Sequence, residues 1–254
     1  MNSPVFRRPA AALLLLAVAL SSGAGRGVGW AQEDAAPAAE SVKPGINDRF
    51  LAEDLDAEEW AGRFEVESRE AFAARKAVVA ALNVEAGQTV ADVGAGTGTH
   101  MELFAAAVGE GGRLFAVDLA PAFVARLRDR AADRGLSQVT PVLCSERSVL
   151  LPADSCDLVF NCDTYHHFEF PDRTLASIYS ALKPGGRLAV MDFERIPGVS
   201  REWTLGHVRA GKQTVRAEIE AAGFEFVAEP EVEGLSENYL MIFRKPSPAS
   251  DAAE

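Results

Sequence analysis

Val90-Ala91-Asp92-Val93-Gly94-Ala95-Gly96-Thr97-Gly98-Thr99 is the stretch on which the fold turns. Its apolar first half predicts a short strand over residues 89–93. Its second half is a glycine loop, after which the apolar residues of 100–108 recur at helical period and stop at Gly109. A strand, a glycine loop and a helix in that order let the backbone approach a ligand at the end of a parallel strand. A glycine loop alone is weak evidence. Here Asp118 also closes the next predicted strand, where a carboxylate can accept hydrogen bonds from both hydroxyls of a ribose. The glycine spacing is selective too. The dinucleotide form G-x-G-x-x-G needs glycine at position 99, but the chain has Thr99 there and its third glycine at 98. Asp92 stands where such loops carry an apolar residue, so hydride transfer is disfavoured.

Outward from the loop, strand and helix patterns alternate. Trp60, Phe64, Phe72, Val79 and Leu82 predict one helix over residues 57–82, with Glu65 and Arg69 as an i,i+4 pair. Strands are predicted at 113–117, 139–143, 156–160 and 187–192. Helices are predicted from Pro121 to the stop at Gly135, over 172–182 and over 207–222, with Lys183-Pro184-Gly185-Gly186 as a break. Two closing strands, 224–229 and 238–243, have no helix between them and should be antiparallel. Alternating units of this kind imply an α/β fold, a parallel sheet with helices on both faces, with ligands at the carboxyl ends of the strands.

The G-x-G-x-G form with its preceding acid resembles motif I of the class I S-adenosylmethionine-dependent methyltransferases. Phe115-Ala116-Val117-Asp118 is similar to that family's ribose motif. Leu182-Lys183-Pro184-Gly185-Gly186-Arg187-Leu188 resembles the turn into its fifth strand, and the closing strand pair resembles its reversed seventh strand. The resemblance spans residues 77–244. Tyr165-His166-His167-Phe168 and Ile46-Asn47-Asp48-Arg49-Phe50 further resemble a bacterial subgroup with signal-peptide-like N termini. It implies a Rossmann-like, doubly wound seven-stranded sheet of order 3-2-1-4-5-7-6 with strand 7 antiparallel. It also implies S-adenosyl-L-methionine as cofactor and methyl transfer by in-line displacement to a small-molecule acceptor. By the same resemblance Gly94, Gly96 and Gly98 pack against the methionine and ribose parts, and Asp92 holds the loop and the amino group. Asp118 holds the ribose, Leu119 lies against the adenine, Glu146 sits near the adenine amine, and Asn161 lies close to the methionine end.

Methyl transfer needs alignment of the acceptor and exclusion of water, and a base only where the acceptor must lose a proton. The acceptor-side candidates follow the fourth strand: Asn161-Cys162-Asp163-Thr164-Tyr165-His166-His167-Phe168. His166 and His167 are the candidate catalytic residues, because imidazole exchanges protons near neutral pH, with Asp163 to orient one ring. The alternative is that one His caps a helix or packs beneath the loop. No metal is expected, since adjacent histidines should diverge and no third ligand stands at useful spacing. Arg209 and Lys212 could grip an anionic acceptor from one helix turn, and Arg49 could close as a lid. The segment lacks the Asn-Pro-Pro-Tyr signature of amino-directed DNA methyltransferases.

Composition sets the outer bounds. The 254 residues carry 25 Lys+Arg against 37 Asp+Glu, a net charge of −12, which disfavours a phosphate-backbone partner. Residues 1–31 read as a secretory signal, with Arg7 and Arg8 before the apolar run of residues 10–20 and small residues Gly29 and Ala31 before a cleavage site. An uncleaved segment would be the chain's one membrane contact. Residues 32–45 read as a flexible linker, 46–245 as the folded domain and 246–254 as a disordered tail. The implied location is the periplasm, although S-adenosylmethionine is made in the cytosol. That tension motivates the alternative of an exported, non-catalytic ligand-binding domain. In the implied strand order Cys144 and Cys162 would lie about 14 Å apart at about 4.8 Å per strand, so the three cysteines should stay unpaired.

Overall fold

The structure, a computed structural model, describes residues 40–248. The expected signal segment, most of the expected linker and the last six residues of the tail lie outside them. The described chain runs α1 (Ala57–Phe64), α2 (Glu70–Ala73), α3 (Arg75–Ala81), β1 (Thr89–Val93), α4 (Met101–Val108), β2 (Arg113–Asp118), α5 (Pro121–Asp133) and β3 (Val139–Leu143). It continues through β4 (Cys156–Cys162), a single 3-10 turn (Tyr165–His167), α6 (Pro171–Ala181), β5 (Leu182–Phe193), α7 (Glu202–His207), α8 (Lys212–Ala221), β6 (Glu225–Ala228) and β7 (Asn238–Arg244). The strands form one seven-stranded sheet of order β3-β2-β1-β4-β5-β7-β6. The first five are parallel, and β7 runs antiparallel to both of its neighbours.

Period-two alternation along the strands divides the core between the two faces of the sheet. Val90, Leu114, Leu158 and Phe160 pack with Phe104 and Leu127 of α4 and α5. Ala91, Val159, Leu188 and Val190 face the other way, with Leu175, Ile178 and Ile219 of α6 and α8. Local signals start and stop the helices. The Asp56 carboxylate accepts from the N–H groups of Glu58 and Glu59 at the start of α1, and Pro121 and Pro171 open α5 and α6.

Four expectations fail, each because a tertiary partner outweighs a local one. The single helix expected over 57–82 is three. The chain turns between Phe64 and Glu70, where Glu65 bonds Arg130 at 2.8 Å and Arg69 bonds Asp163 at 2.7 Å instead of each other. The helix expected over 207–222 is broken by the extended Gly211, while Arg195 holds the end of α7 through the carbonyls of Val208 and Leu205. Residues 183–186 end the helix as expected, but β5 starts at Leu182 and not at 187; the positive φ of Gly185 (79°) goes with a register shift against β4. Residues 41–45, expected in the linker, are bound to the domain. Ser41 Oγ and Gly45 N donate to the Glu169 carboxylate at 2.6 and 3.0 Å, and Val42 N donates to the Glu169 carbonyl.

Candidate active site

The carboxyl ends of β1, β2, β4 and β5 open into a cleft of about 540 Å³. At one end the glycine loop leaves β1. Gly94 N and Ala95 N donate to the Val117 carbonyl, and the Asp118 carboxylate accepts from Gly96 N and Ala120 N, both at 2.8 Å. Asp118 therefore fixes the loop's shape and still has lone pairs free for a ligand. Gly94 has φ 76°, and a Cβ there would come within 2.7 Å of Thr164 Cβ, so only glycine fits between β1 and the segment after β4. Two buried carboxylates face this end with no ion-pair partner among the described residues. Burial and the neighbouring Asp118 push Asp92 up to about 7. Burial raises Asp118 to about 6 against the opposing pull of the N–H groups of Ala120, Gly96 and Leu119. Such a pair suits a ligand that brings positive charge and hydroxyl donors.

At the other end stand three imidazoles. His166 is buried, with Nδ1 2.8 Å from Asp192 Oδ1 and its main-chain N–H donating to Asp192 Oδ2 at 3.0 Å. His167 Nδ1 lies 3.2 Å from Asn47 Oδ1, and its Nε2 lies 3.3 Å from His207 Nε2. His207, from the end of α7, stacks on Trp203 at 4.7 Å. The adjacent histidines do not diverge: their ring centroids are 4.4 Å apart, because Asp192 and Asn47 draw the two rings to one side. A third possible ligand is present after all, supplied across the cleft by a residue that spacing along the chain could not reveal. Burial, then the neighbouring His166 and His207, lower His167 to about 2, and burial, then His166 and Lys43, lower His207 to about 4, so both rings are neutral at ordinary pH. Between the two ends an aromatic wall rises from the N-terminal segment. Phe50 packs on Trp60 at 4.9 Å and edge-on to His167 at 5.3 Å, and Trp60 packs on Phe64 at 5.0 Å.

Comparison with known proteins agrees with this geometry. A family model described as a methyltransferase domain matches residues 90–186, from β1 through the start of β5. The chain is 33% identical over 119 residues to the ubiquinone/menaquinone biosynthesis C-methyltransferase UbiE of Burkholderia multivorans, covering 46% of this chain and 48% of that one. The chain spans about half the length of the curated relatives it matches. Among solved structures, a SAM-dependent methyltransferase from Aquifex aeolicus superposes with a TM-score of 0.67 at 22% identity, over 76% of this chain and all (100%) of that one. Residues 90–186 thus match a methyltransferase domain, and the chain has the fold of a SAM-dependent methyltransferase. The cyclase SpnF shares the fold as well (TM-score 0.59, 21% identity, 68% of this chain and 80% of that one), so the fold by itself does not name a reaction.

The residues lining this cleft fit S-adenosylmethionine, the cofactor that the matched methyltransferase domain implies. The Gly94 and Gly96 cradle is open to the cleft, and Asp92, Asp118 and Leu119 line it. Thr97 Oγ1 and His100 Nε2 are buried without a protein partner in the same region. Other expected site residues lie elsewhere. A Cβ at Gly98 would meet Leu127 of α5, so that glycine serves helix packing and not the cleft wall. Asn161 is buried behind the wall, its Nδ2 donating to the Val93 carbonyl at 3.0 Å. Glu146 does not line the cleft but faces Asn47 Nδ2 at 3.4 Å. Asp163 touches neither histidine. It takes Arg69 at 2.7 Å and Asn238 Nδ2 at 2.6 Å, and Asp192 orients His166 in its place. Arg209 and Lys212 are not free to grip an acceptor, since Arg209 forks onto Glu218 and Lys212 bonds Glu194 and Glu229. Arg49 lies over the Trp60 ring at 5.0 Å, on the cleft's rim.

Proposed function

We propose that this chain transfers a methyl group from S-adenosylmethionine to a small aromatic acceptor. One observation carries the reading: a single cleft has two cation-seeking carboxylates at one end and three imidazoles walled by aromatic rings at the other. The bound sulfonium supplies an activated methyl carbon. Asp92 attracts its positive charge, and Asp118 accepts from the ribose hydroxyls while holding Gly96 in place. Phe50, Trp60, Phe64 and Phe123 offer faces on which a flat acceptor can stack, and they keep water from the transfer line. His166 and His167 meet the acceptor and position it, His166 through Asp192 and not Asp163. The relatives named as quinone-pathway C-methyltransferases support a ring-bearing acceptor.

Calorimetry with S-adenosylmethionine and S-adenosylhomocysteine tests the donor end, with Asp118→Ala as control. A panel of phenols and quinols, read by mass spectrometry for a methyl adduct, tests the acceptor end. Donor binding with no turnover across the panel would turn the reading to an exported ligand-binding domain. We also propose export to the periplasm, on the charge of Arg7 and Arg8 and the apolar run after them. Cell fractionation with N-terminal sequencing of the mature chain tests it; a protein that stays in the cytosol with Met1 intact refutes it.

A further inference from the structure

We infer that His166, His167 and His207 form a binding site for a divalent transition-metal ion, zinc by preference, with an open coordination position facing the cleft. The argument starts from which ring nitrogens are bare. Asn47 Nδ2 donates to the His167 carbonyl at 3.1 Å and faces Glu146 Oε1, so Asn47 Oδ1 is left as an acceptor. His167 must then carry its proton on Nδ1, and its Nε2 is a bare lone pair. Asp192 does the same for His166, whose Nε2 is likewise bare. Two tautomers are thus set by partners behind the rings, the arrangement that prepares imidazoles for a metal. His207 Nε2 lies 3.3 Å from His167 Nε2. Metal–nitrogen bonds of about 2.0–2.1 Å in a tetrahedron put neighbouring nitrogens about 3.3–3.4 Å apart. The ligand atoms of all three rings lie within 4.8 Å of one another.

The charges nearby are both occupied. Lys43 turns its ammonium to the carbonyls of Gly206 and His207, and the buried Asp192 carboxylate stands behind His166. Three imidazoles with no thiolate or carboxylate suit zinc and its late first-row neighbours. Three protein ligands leave a fourth position open, as in sites where an oxygen ligand is activated. That position opens toward the aromatic wall, where it can take the hydroxyl or enolate oxygen of an acceptor. This deepens the methyl-transfer reading and rests on it for the acceptor, but the ion site itself is tested without donor or acceptor.

The full chain, free of any histidine tag, is stripped with chelator and reloaded with Zn2+, and bound metal is counted by plasma mass spectrometry. Co2+ is added to a second sample and its visible spectrum recorded. We expect one ion per chain and the intense bands of four-coordinate Co2+. His207→Ala, on a partly buried ring at the end of α7, should weaken Zn2+ binding at least 100-fold with unchanged circular dichroism. Asn47→Ala, which frees the His167 tautomer, should weaken it by about 10-fold. A folded wild-type chain that retains no metal overturns the site, as does uptake that His207→Ala leaves unchanged. S-adenosylhomocysteine binding is measured on the same samples, so failure of the metal site and failure of the donor site are read separately.

Discussion

Asp192 holds His166 by two bonds, accepting the ring's Nδ1–H at 2.8 Å and the main-chain N–H at 3.0 Å. Both residues are buried, and Asp192 sits in β5 while His166 sits in the turn after β4. The carboxylate therefore joins the sheet to the histidine end of the cleft. Asp192→Asn keeps the shape but can present an N–H where an acceptor is needed. It should lower stability by about 1–3 kcal/mol and methyl transfer by roughly 10–100-fold, with S-adenosylhomocysteine affinity unchanged. Chemical denaturation, turnover and calorimetry on one preparation check the three parts.

Asp163 should behave differently. Its bonds go to Arg69 and Asn238, which tie the N-terminal helices and β7 to the end of β4. Asp163→Ala should cost about 1–3 kcal/mol of stability by leaving those donors unpaired. It should leave the pH profile of turnover in the wild-type position, because no histidine loses a partner. A displaced profile would return Asp163 to the proton chemistry.

Gly94→Ala should abolish donor binding. The left-handed backbone at φ 76° costs a side chain about 1–3 kcal/mol, and Thr164 occupies the space a Cβ needs. Adding Thr164→Gly relieves the clash but not the backbone strain, so calorimetry should find only part of the affinity restored in the double variant.

Asp92 makes the apo protein's stability depend on pH in a defined direction. Its carboxyl is held near 7 in the folded chain against an ordinary 3.8, so folding takes up a proton between those values. The stability this contributes is full below about pH 3.8 and lost as pH rises through about 7. Asp118, raised to about 6, acts with the same sign. Asp92→Asn is neutral throughout, so its stability relative to wild type should increase from pH 5 to pH 8 (about two charge states of one carboxyl). Donor affinity of the wild type should climb over the same interval, since the ionised carboxylate attracts the sulfonium, and the variant's should climb less. Urea midpoints and calorimetry at the two pH values decide it.

The denatured, non-reduced protein should titrate three thiols. Cys144, Cys156 and Cys162 are unpaired in the structure, on strand ends that the sheet keeps apart. A count of one would mean a disulfide that this strand order cannot form.

The sheet was legible from the sequence because its signals are local: period-two apolar runs, glycines at turns, an acid at the end of β2. The glycine-loop end of the cleft was legible for the same reason, since Asp92, Gly94, Gly96, Asp118 and Leu119, which line it, fall within or just after two strands. The histidine end was not. His207 lies 40 positions from His167 in sequence, and only the fold brings their Nε2 atoms together. Asn47 reaches the site over 120 positions, from the segment just after the expected linker, and nothing in its spacing joins it to the histidines. Asp163 was the nearer carboxylate along the chain, but its φ of 49° turns it away from the rings and toward Arg69. Helix breaks at Glu65–Arg69 and at Gly211 had no local cue strong enough to outweigh apolar periodicity. Tertiary ion pairs and the Arg195 clamp set them.

The pinning of residues 41–50 against Glu169 and His167 divides the molecule into two kinds of part. The strands and the glycine loop form a chassis that can be shared widely, while Asn47, Phe50, Trp203 and His207 are fittings bolted on from outside the sheet. Exchange of the short segments that bear them would give the same engine a new workpiece, with no strand moved.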